Sequence, residues 1–143
     1  MPFLIDGDNL LGTWKRERSD DERRSLAMTI ARLASRTDKR MLCVFDGSPD
    51  PAVGAFGNSA RFSGRGKTAD DVILELLERQ ADRRGWVVIT DDRPLGDRSR
   101  WLGARVERCN VFRQRLVEDD DDGKPETPQT EAELEYWLEQ FDR

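Results

Sequence analysis

The sequence predicts an α/β domain with a mainly parallel central sheet and helices on both faces. Short, continuously apolar segments alternate with longer segments whose apolar residues recur at helical spacing. This alternation is typical of parallel sheets that are buried on both faces. The chain has 143 residues, which fits a single domain of about 100–150 residues.

Four apolar segments are predicted strands, at residues 2–5, 40–45, 86–90 and 104–107. The first three stop at an aspartate that is followed by glycine or by a second acid, and these aspartates are Asp6, Asp46 and Asp91. Residues of this kind favour turns. The sequence therefore predicts that each of these strands ends at its acid. A fifth, short strand is expected at 60–63, before the Gly-rich segment 64–67.

Three helices are expected between these strands. Asp20 and Asp21 precede the first, and Thr68 is placed to cap the second. Both carry acids in the first turn, where a helix dipole favours negative charge. Residues 94–102 form the third predicted helix.

The C-terminal part differs in composition from the rest. Residues 1–117 are predicted to be the domain, residues 118–129 an acidic linker, and residues 130–143 an amphipathic helix that docks on the domain. Thr130 and Glu133 have the spacing of a capping box. The apolar stripe of this helix consists of Leu134, Trp137, Leu138 and Phe141. A docking helix for a partner is the alternative.

Charge is distributed unevenly along the chain. Residues 118–143 contain 11 acids and 2 bases, whereas residues 1–117 contain 18 acids and 22 bases. The net charge of −5 therefore combines a basic body with an acidic tail, so the overall charge does not argue against a nucleic-acid partner.

Composition excludes several classes of protein. The chain has no histidine, which removes Ser-His-Asp and Cys-His catalysis and His-ligated zinc. Cys43 and Cys109 are expected to be buried thiols in a reducing cytoplasm rather than a disulfide. No apolar stretch approaches the roughly 20 residues of a membrane span, and the first residues lack the pattern of a signal peptide.

Acids from four chain segments are expected at one edge of the sheet. Ligand sites of parallel sheets lie beyond the carboxyl ends of the strands. Asp6, Asp46 and the pair Asp91–Asp92 follow strands, and the pair Asp70–Asp71 opens a helix. Neighbouring carboxylates repel unless a cation lies among them. A carboxylate cluster without His or Cys suits Mg²⁺ or Mn²⁺.

Two motifs suggest other functions. Residues 64–68 end in Gly-Lys-Thr before a helix, like a phosphate-binding loop, but Arg61 stands where the first glycine of that motif belongs. The segment is better interpreted as a mobile basic loop. Asp6-Gly7-Asp8, with Asp91-Asp92, resembles haloacid-dehalogenase-type phosphatases. The intervening strand lacks the Ser or Thr end and the Lys-bearing helix of those enzymes.

The order of the motifs along the whole chain resembles NYN domains of the PIN-like nuclease superfamily, particularly the YacP-like branch. The matching segments are residues 4–11, 44–47, 67–73 and 88–93, together with Trp137, Leu138 and Phe141. The resemblance implies a three-layer PIN-like fold. It also implies a Mg²⁺- or Mn²⁺-dependent endoribonuclease, which in that branch acts on mRNA in association with ribosomes.

The resemblance also implies roles for individual residues. Asp6, Asp70 and Asp92 match the principal metal-binding positions, and they are the expected catalytic residues. Asp46 and Asp71 match supporting acidic positions. Asn9 would orient the first carboxylate, and Thr90 would order the loop around Asp92. Asp8 and Asp91 depart from the family pattern, so the role of Asp8 stays open, and Asp92 is favoured over Asp91 as the ligand.

The expected chemistry is hydrolysis of a phosphodiester bond, in which divalent ions activate water and offset charge on the leaving oxygen. The cationic side chains expected to bind RNA phosphates are Arg61, Arg65, Lys67 and Arg93. Trp14 and Trp101 could stack on bases, although core packing is the favoured role for both. The alternatives are a catalytically silent RNA- or ribosome-binding module and the phosphatase, and the sequence leaves homo-oligomerisation open.

Overall fold

The computed structural model describes residues 2–51 and 55–123, with side chains as far as residue 118. The strands are β1 Phe3–Asp6, β2 Met41–Phe45, β3 Ala60–Phe62, β4 Val87–Ile89 and β5 Arg105–Glu107. The helices are α1 Gly7–Thr13, α2 Asp20–Thr37, α3 Ala69–Glu78, α4 Arg93–Trp101 and α5 Cys109–Gly123. The predicted helix at 130–143 lies outside the described residues.

All five strands are parallel, and they form one sheet in the order β3-β2-β1-β4-β5. Phe3 on the central strand is paired with Met41 on one side and with Val87 on the other. The predicted α/β class with a parallel sheet is confirmed. Among the described helices, none combines the length and the apolar character that a membrane crossing requires.

Alternate residues of each central strand are buried on opposite faces of the sheet. In β1, Phe3 and Ile5 pack in a core with α1, α2 and α5, whereas Leu4 packs in a second core with α3 and α4. Cys43 and Val44 divide in the same way on β2. Because both faces are covered, the strands are continuously apolar in sequence, and the domain has three layers.

Helix α1 occupies the place where the sequence predicted only a turn. It begins at Gly7, directly after β1, and Asp6 is its N-cap residue. A Cβ atom on Gly7 would lie 2.7 Å from the Cys43 sulfur and even closer to the Phe45 ring. Glycine at this position therefore lets the start of α1 pack tightly against β2, and it does not mark a turn.

Helix α5 is the second element that the sequence interpretation missed. It continues to Gly123, so the first six residues of the predicted acidic linker have helical backbone. Cys109, Phe112 and Leu116 are all buried, and their spacing of three and four residues was the available signal. The acidic run that follows hid this short stripe.

The two cysteines are free, buried thiols, as the sequence predicts. Both belong to the core on the α1, α2 and α5 side of the sheet.

Candidate active site

The strand order places a crevice between the carboxyl ends of β1 and β4. The chain runs outward from β1 through β2 to β3 and then crosses back to β4 on the other side of β1. Such a reversal is the usual ligand site of an open parallel sheet. Asp6 ends β1 at this point, and residues 90–92 follow β4.

Asp6 and Thr90 are the buried polar groups at the centre of the crevice, with exposed fractions of 5% and 2%. The Thr90 hydroxyl donates a hydrogen bond to Asp6 Oδ2 at 2.9 Å and accepts one from the backbone N–H of Asp92 at 3.0 Å. Asp6 caps α1 without a side-chain hydrogen bond to that helix. Its carboxylate is therefore held by Thr90 and is directed across the crevice.

Three further acids approach from separate elements. Asp46 follows β2, and its Oδ1 accepts a hydrogen bond from the backbone N–H of Ala69 at 2.7 Å. Asp70 lies in the first turn of α3. Asp92 is the N-cap residue of α4, where its Oδ1 accepts from the backbone N–H of Leu95 at 3.0 Å. The hydrogen bond from Ala69 ties the end of β2 to the start of α3.

Burial and neighbouring charge alter the proton affinity of these acids. Burial is the largest influence on Asp6 and raises its pKa. The Thr90 hydrogen bond lowers this pKa, whereas repulsion from Asp70, Asp46 and Asp92 raises it further. The net effect is a rise of the Asp6 pKa from 3.8 to about 7. Burial also raises the pKa of Asp70, with repulsion from Asp92, Asp46 and Asp71. The four carboxylates therefore influence one another as a cluster.

The donor chemistry of the cluster, four carboxylates without a His or thiol ligand, is the kind that a hard divalent cation prefers. Within residues 2–51 and 55–123, none of the four clustered acids forms an ion pair with a lysine or arginine. In the same residues, no three acidic or thiol groups are oriented closely enough to hold one ion together. Asp46 and Asp92 each give one oxygen to a backbone amide. An ion would compete with those amides or use the second oxygen of each carboxylate.

Comparison with known proteins identifies the family. A family model described as the YacP-like NYN domain matches residues 3–140. The chain belongs to the YacP-like NYN domain family. No curated protein gives a significant match.

Two solved structures show the same fold as this YacP-like NYN domain. The structure of Rae1 (YacP) from Bacillus subtilis has 21% sequence identity and a TM-score of 0.71, and the match covers 85% of this chain and 76% of that chain. Its W164L mutant has 22% identity and a TM-score of 0.68, over 85% and 77% of the two chains. The predicted PIN-like architecture is thereby confirmed.

Two acids of the NYN domain that were expected near the site are engaged elsewhere. Asp71 forms a reciprocal capping box with Thr68 at the start of α3, with distances of 3.1 and 3.2 Å. Asp91 Oδ1 accepts a hydrogen bond from the backbone N–H of Cys109 at 2.9 Å. Asp92, and not Asp91, is among the groups that raise the pKa of Asp6.

The start of α3 does not offer a phosphate cradle. The backbone N–H groups of Thr68 and Asp71 are used in the capping box, and that of Ala69 is bonded to Asp46. The Gly-Lys-Thr sequence therefore has no nucleotide-loop geometry. Segment 64–67, which was interpreted as mobile, is tied at both ends, because the Ser63 hydroxyl accepts from the Gly47 N–H and donates to the Lys67 carbonyl at 2.9 Å each.

The hydrogen bonds of Asn9 in the described structure go to groups other than Asp6, whose carboxylate the resemblance implied it would orient. Asn9 Oδ1 accepts from the backbone N–H of Asp91 at 2.6 Å and from the Cys109 thiol at 3.2 Å. It therefore links α1 to the loop after β4 and to the start of α5. Orientation of the Asp6 carboxylate falls to Thr90 instead.

Asp8, whose role the sequence left open, is turned away from the cluster. Both of its oxygens accept hydrogen bonds from the Arg23 guanidinium, at 2.8 and 3.0 Å. Oδ2 also accepts from the backbone N–H of Asp46 at 3.0 Å. Asp8 therefore does not act as the second carboxylate of a phosphatase motif, and the family match favours the nuclease class over that alternative.

The expected RNA-binding side chains differ in their surroundings. Arg61, Arg65 and Arg93 are exposed. Lys67 is also exposed but pairs with Glu75 at 3.0 Å.

The two tryptophans that were considered for stacking occupy different environments. Trp14 packs against the core, as favoured from sequence, and the Arg16 guanidinium lies 5.0 Å from its ring centre. Trp101 is 86% exposed, so its predicted core role is wrong. It ends α4, whereas Asp92 is the N-cap residue of that helix, so the length of α4 separates Trp101 from the acidic cluster.

Proposed function

We propose that the chain is a divalent-metal-dependent endoribonuclease with Asp6, Asp70 and Asp92 as its catalytic carboxylates. The observation that carries this proposal is that Asp46, Asp70 and Asp92, from separate segments, lie near the buried Asp6. Burial, with added repulsion from these three acids, raises the pKa of Asp6 to about 7. Membership of the YacP-like NYN family supports a nuclease class. We assign Asp46 a supporting role at the ion and Asp71 a role in capping α3.

The proposed cofactor is Mg²⁺ or Mn²⁺, held by Asp6, Asp70 and Asp92. When bound, such an ion supplies Lewis acidity that lowers the pKa of water and offsets charge on a leaving oxygen. The chain itself provides the positioning. One Thr90 hydroxyl bonds both to the Asp6 carboxylate and to the Asp92 backbone N–H. It therefore fixes the end of β1 and the loop after β4 relative to each other.

RNA is the proposed substrate, and mRNA on the ribosome is the finer proposal that the family resemblance implies. The exposed Arg61, Arg65 and Arg93 are suited to bind backbone phosphates without reading sequence. Lys67 would have to leave Glu75 before it could contribute in the same way. The body of the chain is basic overall, which favours a polyanionic partner.

The test is cleavage of a single-stranded RNA in the presence of Mg²⁺ or Mn²⁺, compared with chelator. We expect internal cleavage that chelator abolishes and that Asp6→Asn lowers by at least about 100-fold. Loss of a residue that only hydrogen-bonds to a metal ligand lowers activity about 10- to 100-fold, and loss of a ligand itself should lower it at least as much. Asp38→Asn is the matched control, because Asp38 is exposed and has the left-handed φ of 53° that asparagine tolerates.

Three outcomes separate the candidate functions. Cleavage that survives in Asp6→Asn would overturn the assignment of the site. RNA binding without any cleavage by the wild type would favour the catalytically silent module of the same fold. Release of phosphate from a small phosphoester, with RNA left intact, would revive the phosphatase.

A further inference from the structure

A polar groove adjoins the acidic cluster on the α4 side. It lies between α4 and β5 and has a volume of about 510 Å³. Its lining includes Asp92, Arg93, Gly96, Arg100, Val106 and Arg108. The groove therefore leads directly from the proposed catalytic centre along the outer edge of the sheet.

Three arginines line this groove. Arg93 and Arg100 are seven residues apart on α4, which places them on one face about 10 Å apart along the helix. Arg108 follows β5 on the opposite wall. The side chains of Arg100 and Arg108 are 60% and 76% exposed, so their guanidinium groups can reach a ligand in the groove.

The existing partners of these arginines are weak competitors. Arg100 lies 3.5 Å from Asp97, and Arg108 lies 3.7 Å from Asp91. Exposed pairs of this length contribute at most about 1 kcal/mol. Asp91 also has a backbone amide partner, the N–H of Cys109. A phosphate that binds either guanidinium through two hydrogen bonds would displace a loose ion pair.

Gly96 keeps the floor of the groove open. It is in the interior of α4, where glycine costs about 1 kcal/mol relative to alanine. Its φ is not left-handed, and a Cβ atom would lie 3.5 Å from Val106 and 3.8 Å from an Arg100 nitrogen, in ordinary contact. Neither the backbone nor the packing requires glycine here. A side chain would instead take up space beneath the Arg100 guanidinium.

We infer that this groove binds the sugar–phosphate backbone of single-stranded RNA on one side of the scissile phosphate, with Arg100 and Arg108 as phosphate ligands. The inference rests on the proposed nuclease function, because the groove opens at Asp92. The carboxylates of Asp91, Asp92 and Asp97 balance the three arginines. The phosphate contacts are therefore expected to orient the RNA along the groove, and the groove adds little net charge to attract it.

The test measures the affinity of a labelled single-stranded RNA for the Asp6→Asn variant in Mg²⁺ over a series of salt concentrations, with a gel to show that the RNA stays intact. In that background, Arg100→Ala/Arg108→Ala is expected to weaken binding by at least about 10-fold at 0.1 M salt. The slope of log K against log salt should fall by about 1.4, which is two phosphate contacts on a single strand.

Arg79→Ala/Arg84→Ala is the matched control. Both residues are exposed, and they lie in the connection that leads from α3 to the amino end of β4, whereas the groove opens at the carboxyl ends of the strands. Arg84 forms a comparably loose pair with Asp82 at 3.4 Å. The control removes the same charge and is expected to change affinity by less than about 2-fold. Equal losses of RNA affinity in the two double variants would mean that the arginines act only through general electrostatic attraction, and this would overturn the inference.

Gly96→Ala provides a test that does not change charge. It is expected to keep or raise the thermal midpoint of unfolding and to weaken RNA binding several-fold, because the new methyl group occupies the floor of the groove. Wild-type affinity in both Gly96→Ala and the arginine double variant would overturn the groove. Failure of the nuclease proposal is distinguishable, since it would appear as unchanged RNA cleavage in Asp6→Asn.

Discussion

Thr90 and Asp6 are 84 residues apart in the chain, and their side chains form a buried hydrogen bond of 2.9 Å. The same Thr90 hydroxyl accepts from the backbone of Asp92. One oxygen atom therefore connects the end of β1 with the loop after β4, across the point where the strand order reverses. This contact sets the orientation of the most perturbed acid in the described part of the molecule.

Removing the Thr90 hydroxyl should change the orientation of the Asp6 carboxylate without removing any charged group from the site. We expect Thr90→Val to lower RNA cleavage by about 10- to 100-fold, in the range seen for residues that hold a metal ligand, whereas Thr90→Ser keeps the hydroxyl and stays near wild type. Because the Thr90 hydrogen bond lowers the pKa of Asp6, its loss should move the Asp6 limb of the pH–rate profile to higher pH. Equal activity in the valine and serine variants would contradict this role.

The pKa of Asp6 also predicts how stability changes with pH. Because this pKa is about 7 in the folded protein and 3.8 ordinarily, the folded state retains a proton that the unfolded state has lost. The contribution of Asp6 to stability is therefore fully present below about pH 4 and is lost as pH rises towards 7. The shift corresponds to about 4 kcal/mol.

Asp6→Asn should remove this dependence. Urea unfolding is expected to show equal stability of variant and wild type near pH 4 and a more stable variant at pH 8, by up to about 4 kcal/mol. Asp38→Asn, at an exposed helix end, should follow the wild type at both pH values. A wild-type protein that gains stability relative to Asp6→Asn as pH rises would contradict the raised pKa.

The fold was predictable where burial leaves a continuous signal. β1, β2 and β4 are buried on both faces, so they are apolar throughout and were found from sequence. The sequence interpretation missed α1 because Gly7 after a strand is typical of a turn. The reason for glycine at this position is instead the close packing of the Cys43 and Phe45 side chains against it. That packing is a tertiary contact, and no local pattern contains it.

The sequence predicted which chain segments bring acids to the candidate site, but its local patterns did not predict which of two neighbouring side chains points into the crevice. The parallel topology brings Asp6, Asp46, Asp70 and Asp92 to one edge. Asp71 and Asp91, each adjacent in sequence to one of these, bond to a helix cap and to a distant amide instead. Which of two neighbouring side chains enters the crevice depends on backbone angles and on partners far along the chain.

The neighbours Asp70 and Asp71 allow a direct test of this division. We expect Mn²⁺ to raise the thermal midpoint of the wild type, because a ligand that binds only the folded state stabilises it. Asp70→Ala should remove most of that rise. Asp71→Ala should keep it but lower the stability without metal by about 1 kcal/mol, through loss of the capping box. The reverse pattern would place Asp71 at the ion.

The ion pair between the buried Asp8 and the partly buried Arg23 is expected to support Asp46. The two side chains are 6% and 16% exposed, and Asp8 holds the backbone N–H of Asp46 while it is held by Arg23. Because loss of one partner leaves the other charge buried, Arg23→Gln should destabilise the fold by about 3–5 kcal/mol. Arg23→Lys should rescue only part of this, since lysine lacks the planar guanidinium that donates parallel hydrogen bonds to both Asp8 oxygens.

A double-mutant cycle measures this coupling without assigning the whole loss to one residue. Asp8→Asn and Arg23→Gln, alone and together, should give an interaction energy well above that of the more exposed pair Arg16–Glu22, which is expected to contribute at most about 1 kcal/mol. RNA cleavage by Asp8→Asn at a temperature where the protein is folded should fall less than in Asp6→Asn, because Asp8 acts only through the position of Asp46. Comparable loss in the two variants would mean that Asp8 takes a direct part in the reaction.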